Sequence, residues 1–477
     1  MNDSANYLLN VLAQGVSRVL GMGAGFFCFV LFARVLGSEA LGELAFVMAF
    51  VMIAGNVADF GTNSALAKSL VEHRERDPGL WLGNFLLVRA ALAALTITLG
   101  VLVSVVVGGN LLDAMLVGCV ATPFMAARFF ESLFQIFERP QYSVYAAFVL
   151  GGCQVALCAG SLLLGVGLTG YVVAFAASQI IYFLFALTLS RSLVVPRWSW
   201  QPEFSAALFK LATPMGVSAL AMAVYSRADV FMLTYWRSSA EVGLYNASYR
   251  LLDLSIAIAV TAALPLIPIL TQRIQSSRED ARVLCTELMS FVATALLPVA
   301  ILTSSLATEI LLLVYGAEFT ASAPVLSIFA WLFLTTGYWL IASSINLAAG
   351  NMRYNYALSA VAALVNIGIS AVLIPRHGMV GAAIGTAAST LVTLMVVMWN
   401  VRRSVGDIHR VDLWLKLLIC GLSLHLTVEW AQSTAPGIPP FLSAACGLAL
   451  YGALTWYFGL IPLGRLREVL AARRALR

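Results

Sequence analysis

The chain reads as an all-α membrane protein with about 14 transmembrane helices, and three observations predict it. Hydrophobic residues fill 61% of its 477 positions and charged residues only 11%, where soluble domains carry about 25% charge. The mean hydropathy is +0.91. Apolar stretches of about 20 residues recur along the whole length, each sufficient to cross a hydrocarbon core of about 30 Å. A soluble chain of this size could not cover its surface with so few charges.

In order, the apolar runs fall at 10–33, 41–65, 81–107, 111–136, 143–163, 170–190, 207–234, 241–270, 284–312, 321–348, 354–374, 378–401, 411–430 and 440–461. The first contains GMGAG (21–25), but no strand precedes it, so close helix packing accounts for it better than a nucleotide loop. Pro123, Pro214, Pro298 and Pro324 interrupt later runs and are hinge candidates. An even number of crossings puts both termini on one side. Lys68, Arg74, Arg76, Arg139, Arg191, Arg197, Arg273, Arg278, Arg282, Arg353, Arg402, Arg403, Arg410 and the tail arginines fall on that side, against Arg34, Arg237 and Arg376 on the other. Positive charge stays inside, so N-in, C-in topology is expected.

Three inside segments mix apolar and charged residues at helical spacing: 65–78, 198–211 and 463–477. They read as interfacial helices on the inner leaflet, the first equally well as a solvated loop. The basic tail suits anionic membrane lipid or a topology anchor. All seven cysteines sit in apolar runs without CxxC spacing, as small buried hydrophobes do. No cleavable leader is expected, because the N-terminus lacks a basic region and Arg18 interrupts the first run.

The chain also repeats. LGSEALGELAF (36–46) resembles RSSAEVGLYNA (237–247), and LTGYVVAFAASQ (168–179) resembles MVGAAIGTAAST (379–390). Both matches occupy equivalent places in a six-helix unit. This predicts two parallel lobes, 1–197 and 198–406, with two further helices and a basic tail over 407–477. Transporters often bind substrate between such halves.

Charge at bilayer depth is costly, so polar residues there face a cavity or one another. Helix one carries Gln14, Ser17 and Arg18 on one stripe, helix two Asn56, Asp59 and Asn63, and helix three Arg89. Helix seven carries Tyr225, Arg227 and Asp229, and helix eight Asn246, Tyr249, Arg250 and Asp253. Helix eleven carries Asn355, Ser359, Asn366 and Ser370. One reading is a water-filled cavity with Arg18, Arg89, Arg227, Arg250, Tyr249, Asn56, Asn63 and Asn366 around an anionic head group. Arginine stays charged and grips phosphate bidentately. The other is structural: Arg227 with Asp229, or Arg250 with Asp253, neutralise each other. Arg128, Glu131 and Gln135 near the inner end of helix four are explained by snorkelling. His425 and Glu429 stand one turn apart without a third metal ligand in view.

RVLGSEALGELAFVMAF (34–50), ADFGTNSAL (58–66), RADVFMLTYWRSSAEVGLYNASYRL (227–251), YGAEFTASAPVL (315–326) and the segment 346–390 resemble the Wzx-type oligosaccharide flippases. These belong to the multidrug/oligosaccharidyl-lipid/polysaccharide exporter superfamily. The segment 346–390 is the most specific, with Asn366, Pro375, Gly378 and Gly381 in the family's order. The resemblance implies two six-helix lobes around a V-shaped cavity (a MATE-like fold) and no cofactor. It implies alternating-access transport of undecaprenyl-pyrophosphate-linked oligosaccharide across the bacterial inner membrane, for surface polysaccharide such as O-antigen. It carries roles over to Arg18, Asp229, Tyr249 and Arg250. Polysaccharide polymerase and chain-length machinery are the partners it suggests, and one chain suffices as a monomer. Ion coupling through Asp59, Asp229 or Asp253 is a further expectation.

Competing readings are a cation-coupled drug exporter or a lipid II flippase of the same fold. An enzyme is disfavoured because the outer loops are short, with His377 their only histidine, and a nucleic-acid binder because no basic domain stands apart. ATP is not the expected driver, since there is no P-loop.

Overall fold

The structure is a computed structural model describing residues 3–72, 77–263, 277–348, 352–408, 410–434 and 439–460. The side chains of residues 3–14, 16, 18, 71, 72, 257–263, 278, 348 and 352–360 lie outside that description. Among the described residues every regular element is a helix. The first set is α1 (Asp3–Asp59), α2 (Thr62–Glu72), α3 (Pro78–Val107), α4 (Leu112–Met125), α5 (Phe129–Ile136), α6 (Gln141–Leu163), α7 (Gly167–Ser190), α8 (Pro202–Tyr225) and α9 (Ala228–Trp236). Then come α10 (Ser239–Ala263), α11 (Arg278–Ser305), α12 (Ala307–Val314), α13 (Ala323–Ala348), α14 (Met352–Ser404), α15 (Val411–Thr434) and α16 (Pro440–Tyr457).

Local chemistry sets several starts. Asp77 caps α3, accepting from the Gly79 N–H at 2.8 Å, and Pro78 takes the first helical position, where no N–H is missed. Ser277 caps α11 by accepting from the Asp280 N–H at 3.2 Å.

Ten helical stretches among the described residues are long and apolar enough to cross a membrane. Their outer faces are apolar too. Leu95, Leu99, Leu102 and Val106 on α3, and Leu415, Leu418, Leu422 and Leu426 on α15, are all exposed. Faces of this length require lipid rather than water.

The fourteen separate runs expected from sequence are grouped differently. The first two run together in α1, interrupted by Gly37 (φ 80°), and the eleventh and twelfth in α14, interrupted by Gly378 (φ 54°). Glycine adopts such angles without steric cost, so no loop residues are needed. α10, with Asn246, Arg250 and Asp253, and the short α16 fall outside the ten. The run 111–136 is divided by a 3-10 turn at Ala126–Arg128, one turn after Pro123. Pro214 and Pro298 sit inside helices without ending them.

Of the interfacial helices expected, 65–78 is represented by α2. The segment 198–211 is not a separate helix: residues 198–201 are irregular, with Gln201 extended, and α8 starts at Pro202. Proline fits the first helical turn and disfavours helical backbone in the residue before it. The segment 463–477 lies outside the described residues.

The chain divides into two compact units, Met1–Asn246 and Ala247–Arg477. In the first, Phe85, Phe129, Phe130 and Phe134 form an aromatic core with Trp81, Leu133 and Tyr182. In the second, Ile341, Ile345, Val397, Val401, Leu417 and Leu424 pack α11, α13, α14 and α15 together. Small residues permit close approach where apolar burial gives no drive between helices in lipid. A Cβ on Gly100 would sit 2.6 Å from Cys119 Sγ.

Candidate functional site

The first unit contains a buried ionic network at the end of α1. Phe60 (φ 39°) and Gly61 (φ 75°) turn the chain out of α1 and into α2. Gly61 is required there twice over: it takes a left-handed angle, and a Cβ would lie 2.5 Å from the Gly216 nitrogen of α8. Asp59 is therefore the last residue of one helix and the cap of the next. Its Oδ1 accepts from the Asn63 N–H at 3.2 Å and from Arg89 at 2.8 Å. The same Arg89 nitrogen donates to Thr62 Oγ1 and Asn63 Oδ1, both at 3.3 Å. Arg89 is only 8% exposed and lies over the Phe85 ring, one turn back on α3. Asn63 passes the network on, donating to the Ala126 carbonyl at 3.1 Å, where α4 gives way to the 3-10 turn.

A second cluster joins α9 to α10. Asp229 is 3% exposed; it accepts the Tyr245 hydroxyl hydrogen bond and the Val230 N–H at 2.9 Å. Arg227 directs its Nε at Met52 Sδ of α1, 3.3 Å away. Asn56 lies one turn beyond Met52 and donates to its carbonyl at 2.9 Å. Asn246 likewise donates to the Val242 carbonyl of its own helix. Beyond this cluster the two repeated segments meet. Gly42 approaches the Ser239 carbonyl and Gly243 approaches the Ser38 carbonyl, each so closely that a side chain would overlap it.

In the second unit Tyr249 meets Phe329 edge-on at 5.7 Å, and Arg250 and Asp253 are half-buried on the same helix. Asn366 joins the two arms of α14, its Nδ2 donating to Thr386 Oγ1 at 3.3 Å and to Ser389 Oγ at 3.5 Å. Gly378 stands between those arms, and a Cβ on Gly381 would lie 2.5 Å from the Leu373 carbonyl oxygen. The family-specific order Asn366, Pro375, Gly378, Gly381 thus marks a helix hairpin. His425 pairs with Glu429 at 3.4 Å and lies 3.1 Å from Ser305.

Of the residues singled out from sequence, the structure gathers Asp59, Asn63 and Arg89 into one network and places Asn56, Arg227 and Asp229 in the same unit. Tyr249, Arg250, Asp253 and Asn366 belong to the second unit. The side chain of Arg18 lies outside the described residues, as do those of Asn355 and Ser359. Sequence reasoning missed Thr62, Met52, Phe85 and Tyr245. A signal for Tyr245 was available: it and Asp229 stand equally far from Arg237 at the turn, so antiparallel helices bring them to one depth.

A sequence profile of the polysaccharide biosynthesis protein family matches residues 7–273, more than half of the chain. The chain belongs to this family. A relative, the probable low-salt glycan biosynthesis flippase Agl15 of Haloferax volcanii, is 23% identical over 401 residues, covering 80% of each chain. Among solved structures, lipid II flippase MurJ in an inward closed conformation matches with a TM-score of 0.77 at 13% identity, over 94% of this chain and 98% of its own. An inward-facing multidrug resistance MATE family transporter matches with a TM-score of 0.65 at 13% identity, over 82% and 95%. This family member therefore has the MurJ and MATE fold and is a multi-pass membrane protein. These relatives are flippases and a transporter, in keeping with the reading against an enzyme.

Proposed function

We propose that this family member is a flippase for lipid-linked glycan, carrying undecaprenyl-pyrophosphate-linked oligosaccharide units across a bacterial cytoplasmic membrane by alternating access. The family match, with a glycan flippase related over 80% of its length, carries the reading. The physics agrees. A glycan head group cannot cross hydrocarbon unaided, because its hydroxyls and phosphates would lose their water without replacement. Buried polar groups along apolar helices are what such a passage needs.

In this reading the glycine-broken α1 and α14 each cross twice and α10 and α16 once, which brings the crossings to fourteen. The lobes are 1–197 and 198–406, with both termini inside. The proposed substrate contacts are Arg227 and Asn56 of the first unit, Arg250, Tyr249 and Asn366 of the second, and Arg18, whose side chain lies outside the described residues. Arg89 and Asn63 act through Asp59, as the frame that holds helix two. Asp59, Asp229 and Asp253 are the coupling candidates.

The test is deletion of the gene with mass spectrometry of lipid-linked glycans and assay of surface polymer. Accumulated lipid-linked oligosaccharide with surface polymer lost supports the reading and identifies the glycan. Unchanged pools and polymer, in a strain without a redundant transporter, would overturn it in favour of a drug exporter of the same fold.

A further inference from the structure

The connection from α7 to α8 is held more tightly than a loop requires. Residues 194–201 cross the first turns of α3 without forming a helix or strand, and the Ser199 N–H donates to the Arg197 carbonyl at 3.0 Å in a tight turn at Trp198. Asn84, 1% exposed, donates its Nδ2 to the Ser199 carbonyl at 2.9 Å and accepts the Gln201 N–H at 2.8 Å. Its amide stands in for a peptide group. The Arg197 N–H donates to the Gly79 carbonyl at 2.9 Å. A Cβ on Gly79 would lie 2.5 Å from the Val195 carbonyl oxygen, and one on Gly83 would overlap that of Arg197. The Arg197 guanidinium adds an ion pair with Asp77 at 2.5 Å.

What this clamp displays is apolar and basic. Val195, Trp198 and Trp200 are 67%, 68% and 58% exposed, beside exposed Arg191 and Arg197. The strap crosses the ends of helices long enough to span a bilayer. The 30 residues of α3 extend about 45 Å, more than a hydrocarbon core of about 30 Å, so its first turns rise into the head-group zone. Tryptophan favours that zone, with its ring in the apolar part and its N–H in water.

We propose that the strap is a membrane-interface anchor that binds the head groups of anionic phospholipids, with Trp198 and Trp200 at the glycerol level and Arg191 and Arg197 on the phosphates. Its rigidity separates it from a solvated loop. Two glycines and a buried asparagine fix the backbone, so the tryptophans cannot fold away from whatever covers them. The anchor depends on the chain spanning a membrane and not on what it transports.

The full-length protein, with Cys153 and Cys446 changed to alanine and bimane attached at Trp198→Cys or Trp200→Cys, would be placed in nanodiscs of phosphatidylcholine or phosphatidylglycerol. Quenching by head-group spin-labelled lipid is compared with quenching by aqueous iodide. Lipid quenching should dominate at both positions and be stronger with the anionic lipid. Arg191→Gln should lower that preference by about fivefold, and Arg197→Gln should lower it less, because that guanidinium already pairs with Asp77. Dominant iodide quenching would overturn the proposal, as would equal quenching by the two lipids. Protection from both quenchers would overturn it too, because a protein would then cover the strap.

Discussion

Gly42 and Gly243 face each other reciprocally: a Cβ on either would lie 2.9 Å from the backbone nitrogen of the other. They occupy equivalent places in the repeated segments LGSEALGELAF and RSSAEVGLYNA, so the repeat meets itself. Each glycine also accommodates the serine carbonyl of the opposite segment, Ser239 for Gly42 and Ser38 for Gly243. Only residues without a side chain allow this approach.

Gly42→Ala or Gly243→Ala should therefore separate the two segments. Overpacking costs about 1–3 kcal/mol, enough to shift a two-state equilibrium by roughly 5- to 150-fold. Spin labels at Ser38 and Ser239 would report the change as a longer distance in pulsed electron resonance. An unchanged distance in both variants would contradict the close contact.

Arg89→Met should destabilise the protein by about 1–3 kcal/mol, because it leaves the partly buried Asp59 carboxylate without its cation. Adding Asp59→Asn should recover most of the loss, since the remaining groups are then neutral. Thermal unfolding in detergent measures both. Equal losses that simply add would show that the 2.8 Å pair is not coupled.

Tyr245→Phe removes one hydrogen bond to a buried carboxylate, worth about 1.5–3 kcal/mol. The packing of the ring survives. If Asp229 couples transport to an ion gradient, Asp229→Asn should uncouple transport from that gradient, whereas Tyr245→Phe should weaken transport while keeping its gradient dependence. Transport assayed with and without an imposed gradient separates the two, and full coupling in Asp229→Asn would remove that residue as a candidate.

Gly378→Ala should cost about 1–3 kcal/mol, because φ 54° with ψ −132° is accessible to glycine and strained for alanine. Asn366→Ala should have a smaller effect, through loss of its two hydrogen bonds across the hairpin. Reversed ranking in thermal stability would show that the hairpin is held by the asparagine rather than by the glycine.

Helices and crossings were legible in the sequence because hydropathy and length are local properties. The glycine pairing was half-legible: the repeat linked the two segments, but not the fact that they touch. The breaks in α1 and α14 were legible as the gaps after the first and eleventh runs, where Arg34, Glu39, Arg376 and His377 stand; what escaped is that a single glycine, Gly37 or Gly378, makes each turn. The strap escaped because Trp198, Trp200 and Arg197 have the mixed composition of an interfacial helix, and its non-helical path depends on Asn84, more than a hundred positions away. The Asp59–Arg89 pair was visible only as two separate buried charges. Partners on different helices have no fixed sequence spacing, although equal distance from the turn at Arg237 narrows the choice for Asp229 and Tyr245.

The most direct test of lipid-linked glycan transport is a leaflet assay. The purified protein would be reconstituted in vesicles with a fluorescent polyprenyl-diphosphate-linked oligosaccharide, and the fraction reached by a membrane-impermeant quencher followed over time. The account predicts that the label protected in the inner leaflet becomes accessible with the protein present and stays protected in empty vesicles. Equal protection with and without the protein, in vesicles where the imposed ion gradient is verified, would contradict it.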